Sequence, residues 1–257
     1  MTTHSESRDF RISNNTIFHL ISSQAGTKAK ALMELVMNSS DAKSDIFKLT
    51  IDNEGFVAED TGIGFRTRDE IEAWFEELGF AHDSDLHQED DRLSRFGLGR
   101  AQIFCFAPTV WQTNDFQMEV DIQKKGLGYD LSRNPESYTG CKVSGKWYEP
   151  LSFSDLKEVL REFEELVAYA GITIEVNGRQ VNKRNVKWDY DTDTVQIKRR
   201  EAGDLYVYNK GYLVKSYPAH TYGSGVVVSK EALTLNIARN DILTSQCNIW
   251  KEVRIFL

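Results

Sequence analysis

Residues 34–42 read ELVMNSSDA, inside a longer run, TKAKALMELVMNSSDA (27–42), whose apolar spacing predicts a helix. Glu34, Asn38 and Asp41 fall at i, i+4 and i+7, so one helical face carries carboxylate, amide and carboxylate. Leu32, Leu35 and Val36 lie largely around the other side and can serve a core. A solvated helix face usually mixes Lys and Arg among its acids, and this stripe has neither. Asn38, Ser39 and Ser40 are also poor helix formers in mid-helix. A helix that gives up propensity to present Glu, Asn and Asp together points to a site.

The 257 residues, 40% hydrophobic and 27% charged, suit one large domain or one and a half. A net charge of -8 argues against a chain that coats nucleic acid by charge alone. Cys105, Cys141 and Cys247 are widely spaced and odd in number, which fits a reducing compartment rather than a disulfide framework. No CxxC or Cys/His cluster points to zinc, no signal peptide opens the chain, and no run is long enough to span a bilayer. A cytoplasmic protein is expected. The closing NIWKEVRIFL looks like an amphipathic helix just beginning, as if cut from something longer.

Outward from the first helix, Phe10 to Ser23 predicts a strand and a short helix. IFKLTI (46–51) and FVAED (56–60) predict a hairpin running into the glycine turn TGIGF. Thr67 can cap a helix, RDEIEAWFEELGF, with Ile71, Trp74, Phe75 and Leu78 on one face. AHDSDLHQEDDRLSR (81–95) is acidic and without apolar rhythm, so a mobile loop is expected, with His82 and His87 simply exposed. FGLGRAQIFCFA reads as glycines opening an apolar helix, and 109–149 as several short strands, TVWQTN, FQMEVDIQ and TGCKVSGKW. FSDLKEVLREFEELVAYA predicts a long helix ending before Gly171, and ITIEVNGRQV a hairpin. From about Asn185 the chain turns β-rich, through TVQIKRR, LYVYNKGYLVKSY, GSGVVVS and LTLNIARND. The order of elements predicts an α+β fold, helices beside a mostly antiparallel sheet.

Two further signals carry chemistry. In EDTGIGF, Asp60 ends a strand and can accept a hydrogen bond from an exocyclic amine such as adenine's. Gly62 and Gly64 there allow a tight turn and close approach of a ligand. In RFGLGR, glycines stand immediately before a helix, where backbone N–H groups favour phosphate. Arg100, next to them, could touch phosphate or pair with an acid. Each signal alone is weak; their order is specific.

ELVMNSSDA, EDTGIGF and RFGLGR, in this order, resemble the ATP-binding boxes of the GHKL superfamily (gyrase B, ninety-kilodalton heat-shock chaperones, histidine kinases, MutL), most of all the chaperones and MORC-like ATPases. The resemblance implies a two-layer α/β sandwich, the Bergerat fold, over residues 1–184, with a lid at about 80–99. A smaller β-rich, transducer-like segment would follow over 185–257. It implies Glu34 as general base, Asn38 as the residue holding Mg²⁺ through its side-chain oxygen, Asp41 in a supporting role and Asp60 as the adenine-reading carboxylate. Gly62 and Gly64 match the turn below the base, and Gly97 and Gly99 the base of the lid. Asn236 and Arg239, in LNIARND, match a segment whose arginine reaches ATP. Lys210 and Lys215 are rival phosphate-sensing cations. Where relatives carry a G-T-x-V strand near adenine, this chain has TGCKV, with Cys141 in place of the hydroxyl; Thr139, two residues away, could share its task.

The resemblance further implies Mg-dependent binding of ATP and ADP, slow hydrolysis gated by lid closure, and an ATP-dependent homodimer clamp. The client, protein or DNA, is left open. Glu34, standing where histidine kinases usually carry an amide, favours hydrolysis over phosphotransfer, as does the presence of only His4 and His19 before the first box. A non-hydrolysing ATP or ADP switch module that acts on a partner is the alternative.

Overall fold

The computed structural model describes residues 19, 21, 26–76, 99–183, 185–236 and 239–257. The first half runs α1 (Lys28–Asp41), β1 (Ile46–Ile51), β2 (Gly55–Asp60), α2 (Arg68–Ile71), α3 (Gly99–Phe104), β3 (Thr109–Val120), α4 (Ile122–Lys125), β4 (Tyr129–Lys146), α5 (Phe153–Leu166), β5 (Thr173–Val176) and β6 (Arg179–Gln180). Its six strands form one sheet in the order β3-β4-β2-β1-β5-β6. All its pairings are antiparallel except β1 with β5. Helices α1, α3 and α5 pack together as a second layer, as expected of a two-layer α+β fold.

Local chemistry sets these elements. Thr27 caps α1, its Oγ1 accepting from Lys30 N at 3.2 Å. Ser152 and Asp155 close a reciprocal capping box at α5. Along β2 every second residue is buried, Phe56, Ala58 and then Asp60. Asp60 therefore enters the core side of the sheet, in register with Phe47 on β1 and Cys141 on β4. The last turn of α1 lies beside this strand end: Ala42 O accepts from Ile63 N at 3.0 Å.

The second half forms a separate five-stranded sheet from β7 (Tyr190–Asp191), β8 (Val195–Arg199), β9 (Leu205–Asn209), β10 (Tyr212–Tyr217) and β11 (Gly225–Ser229), in the order β10-β9-β11-β8-β7. A short helix, α6 (Ala219–Tyr222), carries the chain across to β11, which pairs parallel with β9. Helix α7 (Asn248–Phe256) covers one face, burying Trp250 and Val253 with Val195, Ile197, Leu205, Val207 and Val227. The β9–β10 turn points into the first half. A Cβ on Gly211 (φ 94°) would lie 2.3 Å from Tyr169 O, so only glycine fits. Tyr212, next to it, packs in the first sheet's core and shares a 2.5 Å hydrogen bond with Ser40 of α1.

The structure amends four expectations. The short strands of 109–149 are one long hairpin of 12 and 18 residues, with irregular register around Asn114, and Ile122–Lys125 is helical. The helix after Thr67, capped by that residue as expected, opens at Glu72–Glu76 into a π-turn. The wider turn keeps Ile71 and Phe75 inward but leaves Trp74 38% exposed. Helix α5 stops at Leu166, short of Gly171. The described residues of LTLNIARND (233–236 and 239–241) lie outside any strand, with an isolated antiparallel bridge from Leu235 to Ile242. The strand expected after Phe10, most of the short helix beside it, Leu78 and the acidic loop 81–95 lie outside the described residues. No described helix is long and apolar enough to cross a membrane.

Candidate functional site

Helix α1 brings Glu34, Asn38 and Asp41 to one side of the core. Glu34 is buried, while Asn38 and Asp41 are half-buried. Glu34 does not face solvent. Its Oε1 accepts a hydrogen bond from the Arg239 guanidinium, 205 residues further along the chain, in an ion pair whose side chains are 5% and 20% exposed. Its Oε2 is buried without a hydrogen-bond partner among the described residues. Gly99, at the start of α3, backs onto the same carboxylate; a Cβ there would lie 1.8 Å from Oε2. A carboxylate oxygen buried with no donor is costly unless something else uses it.

Asp60 is the second centre. Its Oδ1 accepts from Gly62 N at 2.8 Å and Cys141 N at 3.2 Å, and its Oδ2 accepts from Ser39 Oγ at 2.8 Å. A carboxylate has about four acceptor positions, so three are used and one remains, on Oδ2. Burial raises the Asp60 carboxyl above its ordinary value, and these three hydrogen bonds counter part of that rise. Burial likewise pushes the Cys141 thiol well up, with the Asp60 charge adding to it. Thr139 is exposed, and the hydroxyl on Asp60 comes from Ser39 instead. Gly140 separates the two strand positions with φ 101°, where a Cβ would lie 2.1 Å from Asp60 O.

Gly62 and Gly64 make the turn after Asp60. A Cβ on Gly62 would meet Ala42 at 2.8 Å, and one on Gly64 (φ 59°) would meet Thr113 Oγ1 at 2.2 Å. Arg100 turns inward: its Nε donates to Phe75 O at 3.1 Å, and burial lowers its guanidinium to about 10. Gly97 and the lid stretch before Gly99 lie outside the described residues, as do His82 and His87.

The loop that carries Arg239 is built by Asn236. Its Oδ1 accepts from Asn240 N at 3.1 Å and Asp241 N at 3.3 Å, and its carbonyl accepts from Arg239 N at 2.9 Å. Arg239 itself is left-handed, at φ 53°. Lys215 Nζ reaches Asp241 Oδ1 at 2.8 Å, bracing the same loop, while Lys210 sits at the β9–β10 turn with φ 51°. Of the three cations weighed from the sequence, the structure brings Arg239 to Glu34. Sequence reasoning missed Ser39 and Tyr212 as site neighbours, although the two poor helix formers, Ser39 and Ser40, were their visible trace.

Residues 26–130 match the family model described as histidine kinase-, DNA gyrase B-, and HSP90-like ATPase. This part of the chain is thus similar to the GHKL superfamily. The GHKL match supports ATP binding. The fold resembles the ATPase region of Saccharomyces cerevisiae topoisomerase II, with a TM-score of 0.60 at 13% identity over 89% of this chain and 84% of that one. The same yeast region bound to ICRF-187 (dexrazoxane) gives a TM-score of 0.60 at 11% identity, over 88% and 82% of the two chains. No curated protein matches the sequence.

The GHKL resemblance implies Mg²⁺. Among the described residues no cluster of three or more His, Cys, Asp or Glu forms a cage for a metal. The half-buried Asn38 offers one amide oxygen, which suits Mg²⁺, an ion that takes few protein oxygens and the rest from phosphates and water. The orphaned Glu34 Oε2 fits a ligand that brings it a hydrogen-bond donor.

Proposed function

We propose that this chain binds Mg·ATP and hydrolyses it slowly. The observation that carries the reading is the Glu34 carboxylate: buried, half paired with Arg239, and half unpartnered. The base of ATP meets Asp60, whose remaining Oδ2 position accepts from the exocyclic amine. Asn38 would hold Mg²⁺, which neutralises charge on the β- and γ-phosphates. Asp41 supports the same helix end. The free Oε2 of Glu34 takes a proton from the attacking water as its oxygen bonds to the γ-phosphorus. The bond from phosphorus to the β–γ bridging oxygen breaks, giving ADP and phosphate. Arg239 serves two anions in turn, Glu34 before the nucleotide arrives and the γ-phosphate after.

In this reading residues 1–184 form the nucleotide unit and 185–257 the transducer-like unit. Closure of the stretch at 80–99 and pairing of two chains gate turnover. The Arg239 bond also favours a second reading, a non-hydrolysing ATP or ADP switch, because it occupies Oε1 and ties the carboxylate to the second half of the chain.

Titration calorimetry with Mg·ATP, ADP and a non-hydrolysable analogue, alongside phosphate release by wild type and Glu34→Ala, separates the two. Saturable binding with slow release that Glu34→Ala abolishes is expected. Binding with no release in either protein selects the switch, and no binding by the wild type overturns both.

A further inference from the structure

The turn below Asp60 is held by residues that neither the boxes nor the proposed chemistry uses. At Asn114 the long strand β3 breaks register on both sides against β4. Asn114 adopts φ 46°, a left-handed conformation that costs most residues but suits asparagine. The bulge turns its carboxamide onto the Gly62–Gly64 turn. Its Nδ2 donates to Phe65 O at 2.8 Å and Ile63 O at 3.3 Å. Next to it the fully buried Thr113 accepts Phe65 N at 2.8 Å through Oγ1. Asn134 Nδ2, on β4, donates to Asn114 O at 3.1 Å and braces the bulge from behind. Thr113 Oγ1 also occupies the place a Cβ on Gly64 would need, so the glycine and the threonine interlock.

The grip extends to the carboxylate. Thr113 and Asn114 fix Ile63 and Phe65; the same turn places Gly62 N on Asp60 Oδ1; and that bond orients the Oδ2 left for a ligand. Bulges commonly re-aim side chains next to functional sites. We infer that Thr113 and Asn114 are positioning residues that set the aim of Asp60, and hence the affinity for adenine over guanine nucleotides. This rests on the reading that Asp60 receives the base. Guanine presents a carbonyl where adenine presents an amine, and a carboxylate oxygen accepts only from the amine. A slackened turn therefore weakens adenine binding and narrows the gap to guanine.

The test compares wild type with Thr113→Val, Thr113→Ser and Asn114→Gly, the last keeping the left-handed backbone while removing the carboxamide. Kd for ADP and GDP is read by calorimetry, KM and kcat for ATP by phosphate release, and Tm by melting. Thr113→Val and Asn114→Gly should each weaken ADP binding about 10-fold, the scale of one lost hydrogen bond to a partly buried group. GDP binding should change less, kcat should fall far less than KM rises, and Thr113→Ser should stay near wild type. Folded variants that bind ADP like wild type overturn the inference. So does a drop in Tm with no movement of Kd in the folded protein, or a Thr113→Ser protein as weak as Thr113→Val. A wild type that binds no nucleotide overturns the base-binding reading as well, which separates that failure from this one.

Discussion

Removing Arg239 should cost more than its surface position implies, and the excess should vanish once Glu34 is neutral. The pair joins a carboxylate 5% exposed to a guanidinium 20% exposed. Breaking a fully buried pair from one side costs about 3–5 kcal/mol, because the remaining charge is stranded. Arg239 keeps some solvent, so about 2–3 kcal/mol is the discounted expectation for Arg239→Met. Met retains the aliphatic stem, and the left-handed backbone at φ 53° is common to both side chains, so strain cancels. For a chain this size that loss lowers Tm by roughly 4–10 °C. Glu34→Gln keeps the shape and an acceptor for Arg239, so it should cost about 1 kcal/mol. In that background Arg239→Met strands no charge and should cost under about 1 kcal/mol. The four proteins, unfolded in urea with tryptophan fluorescence as the probe, should give a coupling of about 1.5–2 kcal/mol. Additive losses would refute the claim that Arg239 is the counter-ion of Glu34.

Three further outcomes follow from the same geometry. Asp60→Asn should abolish adenine-nucleotide binding yet hold or raise Tm at pH 7. The amide keeps the acceptor for Gly62 and Cys141, and Ser39 can turn its proton to Leu35 O, 2.9 Å away. Burial raises the folded carboxyl above its ordinary 3.8, so the stability it contributes is present below that value and lost as pH rises through the folded one. The Tm gap between variant and wild type should therefore widen from pH 4 to pH 7, and a gap that shrinks would contradict the burial argument. Gly99→Ala places a methyl 1.8 Å from Glu34 Oε2, so phosphate release should fall at least about 100-fold; normal turnover would show the carboxylate has room to move. Cys141→Thr replaces a weak thiol donor beside Asp60 with a hydroxyl and should tighten ADP binding about 3- to 10-fold by calorimetry, on the scale of one hydrogen bond.

Much of the site was visible in the chain because its spacing is local. Glu34, Asn38 and Asp41 share a face through helical period alone, and Asp60 turns inward through strand alternation. The two serines that looked misplaced in a helix stand in its last turn, where Ser39 bonds Asp60 and Ser40 bonds Tyr212. What stayed hidden depends on pairing across distance. Asn114 looks like a strand break until its partners on β4 are known, and then it is a bulge. Trp74 obeys a 3.6-residue period that the π-turn abandons. The Arg239–Glu34 bond spans 205 residues, and only the resemblance to GHKL relatives drew attention to that arginine.

Tyr212 belongs by sequence to the second sheet and by packing to the first core. Tyr208, three residues past the start of β9, also reaches the first half, its hydroxyl donating to Glu165 O at 3.1 Å. Peeling the second sheet away would open a hole in the first and strand the hydroxyl of Ser40 and the carboxylate of Glu34 together. The two sheets are thus separate in topology but joined in cooperativity. Amides in β1 and β9 should exchange with solvent through the same opening event, and the molecule should melt in a single calorimetric step.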